Sequence, residues 1–334
     1  MRIQHKLISS LVGATLLIGV VGYISVERSQ QALEEGVRRS AIRLALSSMN
    51  KIEDEIKRRI ESFEEYTTEL ILQKAVKKSN REFDRLEDRE AYIDRQDELW
   101  IKLAPYSTTS LMSELLVNEL SHELIEKVDF LKERHGYPVI RDVVVTNRYG
   151  ATVALTDRIA DYRQDDDRWW KSVRDSGLYV SVHEHDLQDG IYSADVGIRV
   201  NDSVGEFIGA MEVVMSAGQI VSGVRELSAK TDYESARYTL VDTAGVVIYD
   251  ESGEYDHLSD ISETEFFRYL VGDYGYQGGA PGIISRGDDN VCAYALMTGI
   301  GGAGDIGWIL AIQFDAAEVF GPALELRRVI IGIT

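Results

Sequence analysis

The sequence predicts an α+β protein in which a long N-terminal helix, itself preceded by a membrane-spanning helix, carries two small antiparallel sheets. Three observations predict this. From Glu27 to about Lys78 there is no proline, and apolar residues recur at helical spacing. From Val139 the apolar period changes to that of strands, and the order of short strands and a single helix that follows occurs twice.

The 334 residues suffice for two or three domains, and 44% hydrophobic content belongs to a folded chain. A net charge of -20 argues against nucleic acid and against docking on anionic lipid. The single cysteine, Cys292, excludes an internal disulfide and a cysteine metal cluster. No cofactor is expected.

Residues Leu7 to Val26 form an uncharged 20-residue run, the length of a membrane span. Arg2 and Lys6 precede it, which places the N-terminus in the cytoplasm and residues of about 27–328 outside the cell membrane. A cleaved signal peptide is the competing reading. At the other end, Arg327 and Arg328 precede an apolar stretch from Val329. A second span is expected to start there and to be truncated at Thr334; a short terminal strand or helix is the alternative.

Met49, Ile52, Ile56, Ile60, Phe63, Tyr66 and Leu70 step by three and four along the first helix. A helix of this length suits a spine or a homodimer seam. A second helical region, Leu86 to about Arg134, is broken by Pro105 and "YSTTS", where Ser107, Thr108 or Thr109 offers a cap. Two β-rich runs then flank Asn147 to Gly150, a hairpin signal with glycine for positive φ. A short helix, "DRWWKSVRDSG", ends at Gly177, and three more strand candidates follow. The pattern repeats from "SARYTLVDTAGVVIYDES" onwards, with Val145, Thr146 and Gly150 matched to Val241, Asp242 and Gly245. Strand, strand, helix, strand, strand, strand is the order of a PAS-like sheet.

With "VVVTNRYGATVALTDRIADYRQDDDRWWKSV" and "GIYSADVGIRVNDSVGEFIGAMEVVMS", supported by "LLVNELSHEL" and "GWILAIQFDAAEVFGP", the chain resembles the double Cache (tandem PAS-like) sensor domain over roughly residues 27–322. It is most similar to those of membrane histidine kinases. The resemblance implies a helical region over 27–138, a membrane-distal module over 139–218 and a membrane-proximal one over 219–322. It also implies a small-molecule sensor rather than a catalyst, with a kinase, chemoreceptor or cyclase output expected beyond residue 334.

By the same resemblance, Tyr162 and the Trp169-Trp170 pair fit the spacing of a ligand pocket, with one tryptophan expected to line it and the other to pack. Asp166, Asp167 and Arg168 adjoin that pocket. Asp186 is placed at its mouth, and Tyr192 and Asp195 are lesser candidates. Asp167 stands where amino-acid-binding relatives carry an arginine, and Val214 falls near their amine-binding aspartate. An α-amino acid is therefore disfavoured, and an amine or other cation, which aromatic faces also attract, is the expected ligand.

Other readings stay open. Asp165 to Asp167 would cap the helix that follows or, with His183 or His185, serve a membrane-tethered hydrolase. His183 and His185 share a strand face, which makes them a two-histidine pair for a metal, while the lack of a placed third ligand favours an ordinary exposed polar face. The glycines of Ile300 to Gly307 read as a turn, and Cys292 as a core residue. A ligand-free structural surface domain is a further alternative.

Overall fold

The computed structural model of the chain describes residues 2–104, 107–136, 138, 140–185, 191–217, 220–221, 233–271, 282–286, 290–297, 299 and 307–321. The side chains of residues 2–15, 18, 26, 30, 135, 182–185, 191 and 282–286 also lie outside the description.

Helix α1 (Arg2–Tyr66) runs for 65 residues, roughly 100 Å at 1.5 Å per residue. Ala41, Ala45, Met49, Ile52, Ile56, Ile60 and Phe63 form its buried stripe, as the spacing predicts. The helix stops at Tyr66 and does not reach Lys78. Thr67 and Thr68 turn their hydroxyls back to the carbonyls of Glu64 and Glu65, at 2.7 and 2.8 Å, and so compete with the helical ladder. Helix α2 (Leu70–Phe83) starts afresh, and Leu70 is 65% exposed instead of extending the stripe.

Three capped helices follow. Asp88 caps α3 (Arg89–Ile101), Thr109 caps α4 (Ser110–Val117) and Asn118 caps α5 (Glu119–His135). Gly136, at φ 80, closes the last of these.

The first sheet comprises β1 (Ile140–Asn147), β2 (Thr152–Leu155), β3 (Leu178–His185), β4 (Ile191–Asn201) and β5 (Phe207–Ser216) in the order β2-β1-β5-β4-β3, all antiparallel. Helix α6 (Arg168–Ser176) lies between β2 and β3 in sequence, and Gly177, at φ 95, ends it. The second sheet repeats this with β6 (Arg237–Val241), β7 (Val247–Asp250), helix α7 (Glu265–Val271), β8 (Gly282–Arg286), β9 (Asn290–Leu296) and β10 (Ile309–Asp315), in the order β7-β6-β10-β9-β8.

The repeat is real, but its register differs from the expected one. Asn147 Oδ1 accepts the backbone N–H groups of Tyr149 and Ala151, and Asp242 Oδ1 accepts those of Ala244 and Val246. Asn147 therefore matches Asp242, and Thr146 matches Val241. The side chain that closes each turn fixes the correspondence, which shared residue letters had shifted by one. In both hairpins the glycine sits against the loop before the next helix. A Cβ on Gly150 would lie 2.3 Å from Asp165 Cβ, and one on Gly245 would lie 2.8 Å from Ser262 N.

One apolar core joins α1 to both sheets. The α1 stripe packs with Val143, Val145, Val196, Met211 and Val213 of the first sheet and with Tyr238, Leu240, Ala293, Leu310 and Ile312 of the second. Among the described residues no helix is long and apolar enough to cross a membrane. Much of the expected first span falls on side chains outside the description, and the expected second span at 329–334 lies outside it altogether.

Candidate ligand-binding site

Helix α6 rests on the sheet face that points away from α1. Trp169, Trp170 and Val173 are buried there with Ala210 of β5. Gly197 of β4 lets the helix approach, since a Cβ at that position would come within 2.5 Å of Val173 Cγ2 and 3.2 Å of Trp169 Cε3. Trp170 Nε1 donates to Thr146 Oγ1 at 2.9 Å, while Trp169 Nε1 donates to Gln164 Oε1 at 3.3 Å. Both tryptophans are thus packed, not one. The helix lies between the sheet and the loop carrying Gln164, so both directions lead to protein.

The same face is acidic next to α6. Pairing sets Glu212 beside Val144 and Gly197, and sets Asp142 and Asp195 on either side of Val214. Alternate residues share a face, so these three carboxylates face the way Thr146, Ala210 and Gly197 do. Asp195 is buried and accepts from Ser193 Oγ at 3.4 Å. Arg141 Nε stands 3.1 Å from Asp142 Oδ2.

Burial pushes the Glu212 carboxyl well above the usual carboxylate range, and the negative charges of Asp195, Asp167, Asp142 and Asp161 push it further. Asp161 is raised to about 7, by burial first and then by Asp167, Asp97 and Asp166. Gln164 Nε2 donates to Asp161 Oδ1 at 2.6 Å and opposes that rise. Asp167 is raised by burial and by Asp166. Five acids from three strands and one loop therefore share one field.

The loop bearing Asp161 is fastened to α3. Arg163 reaches Asp94 at 2.6 Å and Glu90 at 3.0 Å, and donates to Asp165 Oδ2 at 3.0 Å. Asp97 Oδ1 accepts the backbone N–H groups of Tyr162 and Arg163 at 2.9 and 3.0 Å. Asp165 is thereby committed to Arg163 rather than to a helix cap. Asp167 occupies the cap position of α6 but makes no capping hydrogen bond with its side chain. Asp166 and Arg168 are exposed.

Two expected site residues face elsewhere. Tyr162 is buried against Trp100, with ring centroids 5.8 Å apart, in a cluster with Phe83, Ile93 and Leu155. It borders a cleft between α2, α4 and α5, not the acidic face. Tyr192 stands on the opposite face of β4 from Asp195, in the core shared by the two sheets. Its hydroxyl meets Asp242 Oδ2 at 3.2 Å, and its ring meets Trp308 edge-on at 6.2 Å. Asp186 and the side chains of His183 and His185 lie outside the described residues, as do residues 300–306. Among the described residues, no group of three or more His, Cys, Asp or Glu is arranged to hold a metal ion.

Asp142, Asp161 and Glu212 are the acids that sequence reasoning passed over. A signal for Glu212 was present: it is the only charge in the apolar strand "FIGAMEVVMS". It lies two residues before Val214, on the same face.

No protein-family description and no curated protein matches the chain. Solved structures do. The chain is similar to the ligand-binding domain of the Pseudomonas fluorescens chemoreceptor CtaA in complex with L-isoleucine, at 11% identity over 88% of this chain and 98% of that one, with a TM-score of 0.48. It is also similar to the ligand-binding domain of the Campylobacter jejuni chemoreceptor Tlp3 in complex with L-norvaline, at 13% identity over 86% and 94% of the two chains, TM-score 0.45. The ligand-binding domain of the Pseudomonas aeruginosa chemoreceptor PctC in complex with GABA matches at 14% identity over 68% and 90%, TM-score 0.39. The order strand, strand, helix, strand, strand, strand occurs twice in the fold, as the sequence resemblance to double Cache sensor domains implies.

Proposed function

We propose that this chain is the extracytoplasmic sensing part of a membrane receptor, and that its first sheet binds a small cationic molecule, an amine, on the acidic face beside α6. The observation that carries the reading is the convergence of Asp142, Asp195 and Glu212 on one sheet face, with Asp161 and Asp167 close enough to push the Glu212 carboxyl up. Such a gathering of acids favours a cation beside it, as Arg141 already is for Asp142. An α-amino acid would also need a cation for its carboxylate. Arg199, the basic residue of β4 on this face, is already held by the Arg174 carbonyl, by Asn201 Oδ1 at 2.7 Å and by the Phe207 ring at 4.9 Å.

Anchoring rests on α1. Leu16, Leu17, Val20, Val21, Tyr23 and Ile24 are 47–67% exposed, whereas the stripe from Ala41 onwards is buried. Lipid is the solvent that such a surface suits. The first sheet is then the membrane-distal module, the second the membrane-proximal one, and a homodimer forms along α1. A ligand works by its differential affinity for two arrangements of the modules.

Isothermal titration of the full chain against an amine panel and an amino-acid panel tests the ligand class. Binding in the amine panel that Glu212→Gln weakens at least tenfold is the expected result. Binding confined to the amino-acid panel overturns it.

A further inference from the structure

The second sheet carries a cleft of its own at the strand ends corresponding to the acidic face of the first, with a volume of about 330 Å³. Matched pairing gives the correspondence. Gln313 lies opposite Arg237 and Cys292, as Val214 lies opposite Asp142 and Asp195. Asn290 lies opposite Asp315, as Ser193 lies opposite Ser216. The second sheet therefore puts Arg237 where the first has Asp142, Gln313 where it has Val214, and Asn290 where it has Ser193.

Gln313 is only 8% exposed, and its Nε2 has no hydrogen-bond partner among the described residues. A buried amide N–H without an acceptor is destabilising, and a ligand oxygen would satisfy it. Arg237 Nη1 donates to the carbonyls of Glu234 and Ala236, at 3.0 and 2.9 Å, which fixes the guanidinium at the cleft. An arginine and two amides in one cleft are the donor set for a carboxylate. Glu254 and Asp315 line the same cleft, so a plain anion would meet two negative charges as well as one positive.

We propose that this cleft is a second ligand site, one for a small zwitterion. Its carboxylate lies against Arg237, Gln313 and Asn290, and its ammonium faces Glu254 and Asp315. The site does not depend on the first, because its donors all come from the second sheet.

Titration calorimetry of the full chain with glycine and L-alanine, and with acetate and ethylamine as their halves, tests the assignment. At least one of the two zwitterions binds, and acetate binds at least tenfold more weakly. Arg237→Ala and Gln313→Leu each weaken zwitterion binding at least tenfold, while Glu212→Gln leaves it unchanged. Ethylamine heat that disappears in Glu212→Gln but survives in Arg237→Ala belongs to the first site and leaves this proposal standing on the zwitterion data. Should Gln313→Leu lose its melting transition, Asn290→Ala decides: tenfold weakening supports the site and unchanged affinity overturns it. Absence of zwitterion binding to the wild type also overturns it, as does binding that only Glu212→Gln removes.

Discussion

The two sheets share strand order, hairpin and glycine contact, yet they fill the same face differently. In the first, the row through Glu212 runs Leu155, Val144, Glu212, Gly197, Tyr179. The corresponding row of the second runs Asp250, Thr239, Ala311, Tyr294, Gly282. Ala311 and Tyr294 join Phe266, Phe267, Leu270 and Ile309 in a sealed apolar cluster. At the two central strands, where the first sheet has Glu212 and Gly197, the second has the methyl group of Ala311 and the ring of Tyr294. The backbone thus supplies a frame, and a few side chains decide whether that frame encloses its own aromatic residues or leaves an acidic surface for something else.

The comparison breaks most sharply if the two faces are exchanged. Ala311→Glu places an acid of the Glu212 kind in the sealed cluster, and should cost more than about 4 kcal/mol in urea unfolding. Glu212→Ala should cost far less, since it removes a charge that its neighbours oppose. Equal losses would mean that the faces do not differ as described.

A second test concerns what the modules share. Gly150→Ala combines a φ of 77 with a contact of 2.3 Å, and should destabilise by about 2–4 kcal/mol. Gly245→Ala, at φ 97 with its nearest contact at 2.8 Å, should destabilise by about 1–3 kcal/mol. Thermal melts of both should keep that order.

The acidic face also predicts a pH dependence that the apolar one lacks. Asp161 titrates at about 7 in the fold, against an ordinary value of 3.8, so the unfolded chain releases its proton first as the pH rises. Its contribution to stability is therefore intact below about pH 4 and lost progressively towards pH 7. The raised Glu212 and Asp167 act in the same direction. Glu212→Gln should raise the melting temperature at pH 8 by roughly 2–4 °C and leave it unchanged at pH 4. Amine affinity should weaken below about pH 7, as Asp161 takes up its proton. An affinity that does not change between pH 5 and 8 would contradict this.

The smallest effect lies between the sheets. Tyr192→Phe removes the hydroxyl that meets Asp242 and keeps the ring against Trp308, at a cost of about 0.5–1.5 kcal/mol. Amine affinity in calorimetry should stay within twofold of wild type, because Tyr192 faces away from the acidic side.

Much of the frame was legible in the sequence because its signals are local. Gly150 and Gly177 are single-residue demands of a turn and a helix end, Thr109 caps α4 out of the three candidates offered, and the stripe from Met49 to Phe63 is periodic. The helix break at Thr67 was missed because two threonine hydroxyls, not a proline or glycine, make it. The site was harder, since Asp142, Asp195 and Glu212 come from three strands and meet only through pairing. Tyr192 was misplaced through the parity of β4. Odd positions from Ser193 to Gly197 face α6, whereas Tyr192, Val196 and Ile198 face the shared core.

That shared core has a consequence for how the molecule comes apart. The same buried cluster takes side chains from α1, from both sheets and from Val319 beyond the last strand. Neither sheet can let go without stripping apolar surface from the other, so the two cannot melt as separate beads. Scanning calorimetry should show one cooperative transition, and a chain cut between Val221 and Tyr233 should yield two fragments that fold only when mixed.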